Sequence, residues 1–136
     1  MNPILRNILA VMAGVVLCMS LNSLLLGILM RSIGTPDGFI PNAPDTYVLL
    51  GPEHYAAPFL AHSIPSLLGA LLASLLAANS HRAMALVVGF VHLLGGIAAA
   101  FMIPAPSWFI AVDLLFAYMP MAMLGWKVST RLIKAP

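Results

Sequence analysis

Four long apolar runs, separated by polar or proline-rich breaks, dominate the hydrophobic pattern of this chain. The runs predict helices at about 4–30, 54–78, 83–102 and 107–126. Each run approaches or exceeds the roughly 20 apolar residues that cross a bilayer core of about 30 Å. The first run is longer than the roughly 7–15 apolar residues of a signal-peptide core. We therefore interpret it as a retained transmembrane helix.

The connections between the runs predict how the helices are arranged. A proline- and glycine-rich loop covers 31–53, whereas the breaks at 79–82 and 103–106 are only four residues long. Short connections make consecutive helices antiparallel neighbours. Pro65 and Pro120 should bend the second and fourth helices. The pattern predicts an all-α, polytopic membrane protein, with residues 1–136 forming a single antiparallel four-transmembrane-helix bundle.

Composition excludes several classes of protein. Of the 136 residues, 62% are hydrophobic and 7% are charged, whereas a soluble domain carries roughly 25% charged residues. The chain is therefore neither a soluble globular domain nor a disordered one. Its single cysteine, Cys18, excludes a disulfide scaffold and a CxxC metal motif, and we interpret it as a packing residue. The six basic residues form no patch, so no nucleic-acid partner is expected.

The placement of the basic residues predicts an orientation. If the N-terminus is cytoplasmic, Arg31 is the one basic residue outside. The other five then lie inside: Arg6, Arg82, Lys127, Arg131 and Lys134. This asymmetry follows the positive-inside rule. We expect a multi-pass protein of the bacterial inner membrane, with both termini cytoplasmic and the loop 31–53 outside.

Each predicted helix carries one polar residue that is costly to bury in a bilayer. They are Asn22, His62, His92 and Asp113. At a rise of 1.5 Å per residue, all four lie about 9–15 Å from the outer end of their helices. Small residues share their helix faces, which is typical of helix–helix contacts in membranes. The sequence therefore predicts an intramembrane polar layer inside the bundle. Ser66, on the face of His62, is a secondary candidate.

Three interpretations of the polar layer remain open. His62, His92 and Asp113 can bind a divalent transition metal, with Asn22 or a water completing the shell. Asp113 and a histidine can instead form a pair whose charge changes with pH. The third interpretation is that the layer serves only helix cohesion. No resident cofactor is predicted, and the divalent metal is the one alternative.

Two residues at the outer mouth of the second helix, Glu53 and His54, are further secondary candidates. They precede Tyr55, and together the three residues are suited to an entry site. The alternative is a helix-start acid beside an interfacial aromatic.

Three segments between Gly51 and Lys127 resemble a known family. They read PFLAHSIPSLLGALLASLLAAN at 58–79, LLGGIAAAFMIPAPSWF at 93–109 and DLLFAYMPMAMLGWK at 113–127. They resemble an uncharacterised family of small four-helix bacterial inner-membrane proteins. The resemblance covers a little over half the chain and implies a fold and a membrane location, but no activity. Its most specific parts contain His62, Asp113 and the secondary candidate Tyr118, whereas His92 and Asn22 lie outside them.

These observations lead to two expectations about function. The first is an integral inner-membrane protein that handles a small solute, ion or proton through the His/Asp layer. The second is a structural or accessory membrane subunit. An enzyme is not expected, because only Ser63 or Ser66 offers a weak nucleophile near His62. The expected partners are the lipid bilayer and a second copy of the chain, since four helices enclose little aqueous volume.

Overall fold

The computed structural model of the chain is all-helical and describes residues 1–41 and 43–134. The helices are α1 (Pro3–Ile33), α2 (Ala56–Leu76), α3 (His81–Met102), α4 (Ser107–Phe116) and α5 (Met119–Lys134). Two short 3₁₀ helices, Pro44–Leu49 and Pro52–Tyr55, precede α2, and these described ranges contain no strand. Asn42, Ala135, Pro136 and the Lys134 side chain, which belong to the predicted domain, lie outside the described residues.

Four stretches are long and apolar enough to cross a membrane. They are Pro3–Ile33, Pro52–Leu76, His81–Met102 and Ser107–Ile133. This confirms the prediction of an all-α chain with four such segments. The bounds differ by a few residues from those predicted. For example, α1 continues to Ile33, and α2 ends at Leu76 because the backbone of Ala77 leaves the helical region with a ψ of 148°.

The fourth apolar stretch consists of two helices, where the sequence predicted one bent helix at 107–126. Pro120 explains the break. A proline has no N–H, and its ring clashes with the carbonyl four residues earlier, which here belongs to Phe116, the last residue of α4. Hydrogen bonds from Ala117 N to Asp113 O (2.9 Å) and from Ala122 N to Tyr118 O (2.9 Å) flank the break. The chain therefore turns at 117–118, two residues before the proline.

Small residues allow the helices to approach closely around α2, which packs against α1, α3 and α5. A Cβ on Gly14 would lie 2.6 Å from the carbonyl oxygen of Gly69, and a Cβ on Gly69 would lie 2.6 Å from that of Gly14. Glycine at both positions is therefore required for the contact between α1 and α2. Alanines form most of the remaining fully buried core.

Polar side chains join the start of α1 to the end of α2. The Arg6 guanidinium donates to the carbonyl of Leu76 (2.8 Å), and Asn7 Oδ1 accepts from the backbone N–H of Ala78 (2.8 Å). These bonds satisfy backbone groups that a helix end leaves without partners. Nearby, Ser74 on α2 and Ser129 on α5 share a buried hydrogen bond of 2.6 Å. These hydrogen bonds hold α1, α2 and α5 together at this end of the molecule.

Candidate functional site

A buried carboxylate, that of Asp113 on α4, receives two hydrogen bonds. His62 on α2 places Nδ1 at 2.8 Å from Oδ1 and 2.9 Å from Oδ2 of Asp113. The Tyr118 hydroxyl donates to Oδ2 at 2.8 Å and lies 3.0 Å from the same Nδ1. The Asp113 side chain is 7% exposed and that of His62 is 17% exposed. Hydrogen bonds to a charged acceptor are stronger than neutral ones, so this arrangement holds both rings in place.

The break between α4 and α5 explains how Tyr118 reaches Asp113. Residues five positions apart in a regular helix point about 140° away from each other. The turn at 117–118 removes this restriction and directs the phenol back to the carboxylate. The Tyr118 side chain is completely buried.

A second group of polar side chains surrounds His92 on α3. Its Nδ1 lies 2.8 Å from Oγ of Ser66 on α2 and 3.0 Å from Sγ of Cys18 on α1. Ser66 also donates to the carbonyl of His62 at 2.7 Å. All three side chains are buried. Cys18, interpreted from the sequence as a packing residue, therefore also contacts a histidine.

The Tyr118 ring connects the two groups. It stacks on His62 with ring centroids 5.5 Å apart and meets His92 edge-on at 5.1 Å. The two histidine rings are 6.0 Å apart. We call the six side chains of these two groups the polar cluster: His62, Asp113, Tyr118, His92, Ser66 and Cys18. The cluster joins α1, α2, α3 and α4.

A cavity of about 800 Å³ lies against one side of the polar cluster. It is lined by α1, α2, α3 and α4 and by the segment 34–55, and most of its lining side chains are apolar. His62 and Asp113 contribute polar atoms to its wall, as do Arg31 and His54. We call it the large cavity. Its volume falls within the range of roughly 300–1,000 Å³ that is usual for small-molecule sites.

A second cavity of about 140 Å³ adjoins the first, with His62, Gly96 and Ala99 in the lining of both. His62, His92, Asn22 and Tyr118 line it together with small residues of α3. The Asn22 side-chain oxygen is buried and has no hydrogen-bond partner among the described residues. We call this space the small cavity.

The structure brings some of the candidate residues together and leaves others apart. His62, His92, Asp113, Ser66 and Tyr118 all belong to the polar cluster. The fourth member of the predicted layer and the two candidates at the start of α2 do not: Asn22, Glu53 and His54. Asn22 borders the small cavity without bonding to the cluster. His54 lines the large cavity, and its Nδ1 accepts from the Gly51 N–H at 3.0 Å.

A divalent-metal site was one of the three interpretations of the polar layer. Across residues 1–41 and 43–134, no three His, Cys, Asp or Glu side chains are grouped to hold a metal ion. Nδ1 of His62 faces a carboxylate, and Nδ1 of His92 faces Ser66 and Cys18. The divalent metal therefore stays a prediction. Comparison of the chain with protein-family models, curated proteins and solved structures found no match.

Two adjacent glycines of α3 provide a matched test of the Tyr118 position. A Cβ on Gly96 would overlap the Tyr118 hydroxyl, whereas a Cβ on Gly95 would meet no atom within 4 Å. We expect Gly96→Ala to displace the phenol from Asp113 and to lower the free energy of unfolding by about 1–3 kcal/mol. Gly95→Ala should be neutral or stabilising by up to about 1 kcal/mol, since alanine favours a helix. Thermal unfolding followed by tryptophan fluorescence measures both, and equal midpoints would contradict the placement.

Proposed function

We propose that this chain is an integral membrane protein that binds a small, largely apolar solute and exchanges a proton at His62 and Asp113. In this proposal the four apolar segments form an antiparallel bundle in a bacterial inner membrane. Both termini are cytoplasmic, and the segment 34–55 covers the outer end. The role is transport of the solute across this membrane, without covalent chemistry.

The exposed surface supports insertion into a membrane. Large apolar side chains are exposed along the helices, including Ile8, Phe90, Leu115 and Leu132. A soluble monomer rarely exposes contiguous apolar patches of more than a few hundred Å². The five basic residues predicted to lie inside belong to the start of α1, the start of α3 and the second half of α5, which supports the orientation.

The observation that carries the proposal is the contact between the large cavity and the polar cluster. A mostly apolar space whose wall contains a few convergent polar groups is the usual form of a small-molecule site. Here these groups are His62 and Asp113, together with Arg31, which forms no hydrogen bond or ion pair with another described residue. The site therefore suits a solute with an apolar body and at least one hydrogen-bonding group.

Proton exchange follows from the chemistry of the pair. Histidine is the side chain whose unperturbed charge change falls between pH 5 and 8. A neighbouring carboxylate favours the charged imidazole, and ionisable residues inside membranes commonly mark proton or substrate pathways. Tyr118 and His92 lie beside the pair, and Arg31 and His54 line the same cavity. Of these four, Arg31 carries a permanent charge, which is positive, so Asp113 is the group that offsets a proton gained by His62.

A structural or accessory subunit is the second candidate, and one observation favours it. The polar cluster links α1, α2, α3 and α4 through short hydrogen bonds, which is sufficient to hold a bundle together. In that case the charge of Asp113 has no role beyond accepting two hydrogen bonds. An asparagine at this position then serves almost as well.

The proposal is tested by attaching a membrane-impermeant maleimide to single cysteines. In a Cys18→Ser background we compare Gly27→Cys with Leu24→Cys. Gly27 lines the large cavity, whereas Leu24 is 56% exposed on the same helix and does not. Because the reactive species is the thiolate, which requires water, we expect labelling of Gly27→Cys in intact cells to be about tenfold faster or more. The neutral apolar probe N-phenyl-1-naphthylamine should slow labelling at this position.

Two further cysteines test the orientation in the same assay. Asp45→Cys, in the segment 34–55, should react in intact cells whether or not the probe is present. Thr130→Cys, near the end of α5, should react only after the membrane is opened. Labelling of Thr130→Cys in intact cells would contradict the orientation. A Gly27→Cys that reacts no faster than Leu24→Cys would contradict a solute-accessible cavity.

A further inference from the structure

The hydrogen bonds of His62 determine which of its nitrogens faces the small cavity as an acceptor. A carboxylate can only accept, so Nδ1 of His62 carries the hydrogen that is donated to Asp113 at 2.8 Å. In the neutral imidazole the other nitrogen, Nε2, then has a free lone pair. No hydrogen bond from another described residue reaches this Nε2. The ring lines both cavities.

The same reasoning applies to His92. The Ser66 hydroxyl donates its one hydrogen to the His62 carbonyl at 2.7 Å. Its oxygen can then accept from Nδ1 of His92, which lies 2.8 Å away and is also 3.0 Å from Sγ of Cys18. Nε2 of the neutral His92 is then also an acceptor without a partner among the described residues. His92 is buried and lines the small cavity.

Asn22 supplies a third acceptor to the same space. Its side-chain oxygen is buried and has no hydrogen-bond partner among the described residues, and leaving a buried acceptor unsatisfied is unfavourable. The residues that carry these three acceptors, Asn22 and the two histidines, all line the small cavity. Tyr118 adds no donor, because its hydroxyl hydrogen is given to Asp113.

We propose that the small cavity is a binding site for a small cation that donates several hydrogen bonds, either ammonium or a short primary alkylammonium. Such a cation satisfies all three acceptors at once, and the Asp113 carboxylate behind His62 offsets its charge. A volume of about 140 Å³ accommodates it together with a few waters. A divalent metal is disfavoured because the one nearby carboxylate is already occupied by His62 and Tyr118.

The small cavity adjoins the large one, since His62, Gly96 and Ala99 line both, but the proposal does not require a solute to be bound in the large cavity. Asn22 lines the small cavity, whereas its neighbour Ser23 lines the large one. Substitutions at these two adjacent positions of α1 therefore separate the two sites.

The experiment measures thermal unfolding of the purified full chain in nanodiscs at pH 8, with ammonium chloride replacing potassium chloride at constant ionic strength. Potassium matches ammonium in charge but has no hydrogens to donate, and as a hard cation it binds imidazole poorly. We expect ammonium to raise the unfolding temperature in a saturable manner, since a ligand that binds the folded state stabilises it. Asn22→Leu should raise the apparent Kd for ammonium about tenfold or more.

Three control variants are measured in the same unfolding experiment. Asn22→Leu should unfold in potassium chloride no earlier than the wild type, because it removes an unsatisfied oxygen. Asn22→Asp keeps an acceptor and should keep the response, and Ser23→Ala should respond as the wild type does. The proposal is overturned if the wild type does not distinguish ammonium from potassium, or if Asn22→Leu keeps the full response. Stabilisation by Zn²⁺ and not by ammonium also overturns it, and binding of N-phenyl-1-naphthylamine reports on the large cavity independently.

Discussion

Replacement of Asp113 by asparagine is expected to leave the chain folded but to reduce the number of protons that it takes up between pH 8 and pH 5. The amide oxygen still accepts a hydrogen bond from Tyr118 or His62, so packing is preserved. The negative charge that favours a protonated His62 is lost, and burial then disfavours the charged imidazole. Potentiometric titration of the purified protein in nanodiscs measures the difference.

Two control variants separate charge from structure in that titration. Asp45→Asn removes an exposed carboxylate of the segment 34–55 and should not change proton uptake in this range. Tyr118→Phe removes a donor to Asp113 but keeps its charge, so it should retain the wild-type uptake. If Asp113→Asn takes up as many protons as the wild type, the charge has no role and the cohesion interpretation is favoured. If Asp113→Asn fails to fold, a loss of uptake in folded Tyr118→Phe contradicts the charge-based account instead.

Replacement of Gly14 by alanine is expected to disrupt the contact between α1 and α2 and to lower the stability of the fold. The new Cβ would lie 2.6 Å from the carbonyl oxygen of Gly69 and 2.9 Å from the Cβ of Ala73. Because the first of these atoms belongs to a helix backbone, α1 must move away from α2, at a cost of about 1–3 kcal/mol or more. Cys18, one turn further along α1, moves with it, which weakens its contact with His92.

Gly27→Ala is the matched control for this prediction. It lies on the same helix, and a Cβ there meets no atom within 4 Å. Because alanine favours a helix more than glycine does, the variant should have the stability of the wild type or a slightly higher one. Unfolding in sodium dodecyl sulfate, followed by circular dichroism, compares the two variants. Equal unfolding curves for Gly14→Ala and Gly27→Ala would contradict the close contact between α1 and α2.

The helices were predictable because long apolar runs carry most of the information on this fold. The break at 117–118 was not, since the sequence indicates a bend at Pro120 but not whether the chain continues as one helix. The break at 117–118 also affects the candidate site. Tyr118 is five residues from Asp113, and only the break turns the two side chains toward each other.

The polar layer was predicted from depth and helix face. These determine how deep a residue lies in the bilayer but not which side chain it contacts. Depth alone cannot assign Asp113 to His62 and Ser66 to His92, because this depends on how each helix is rotated. Cys18 was interpreted only as a packing residue, since a cysteine in an apolar run has no pattern that indicates a polar contact. Its contact with His92 arises where the glycines bring α1 close to α2.

The large cavity was also not predicted from the sequence. Four helices were expected to enclose little aqueous volume. The segment 34–55 changes this by forming a wall. Phe39 and Tyr47 pack edge to face at 5.2 Å, and the Tyr47 hydroxyl donates to the carbonyl of Pro41 at 2.8 Å. Contacts within a proline-rich loop depend on its own fold, which hydrophobic periodicity does not encode.

We propose that His62, held by Asp113, exchanges a proton. ¹⁵N nuclear magnetic resonance of histidine-labelled protein tests this exchange at the residue itself. The chain has four histidines, so the spectrum is simple, and His62→Gln assigns the relevant signal. We expect His62 to carry a hydrogen on Nδ1, donated to Asp113, and its ¹⁵N signals to change as the pH falls from 8 to 5. A His62 that carries its hydrogen on Nε2 at pH 8, or that is unchanged between pH 8 and pH 5, would contradict it.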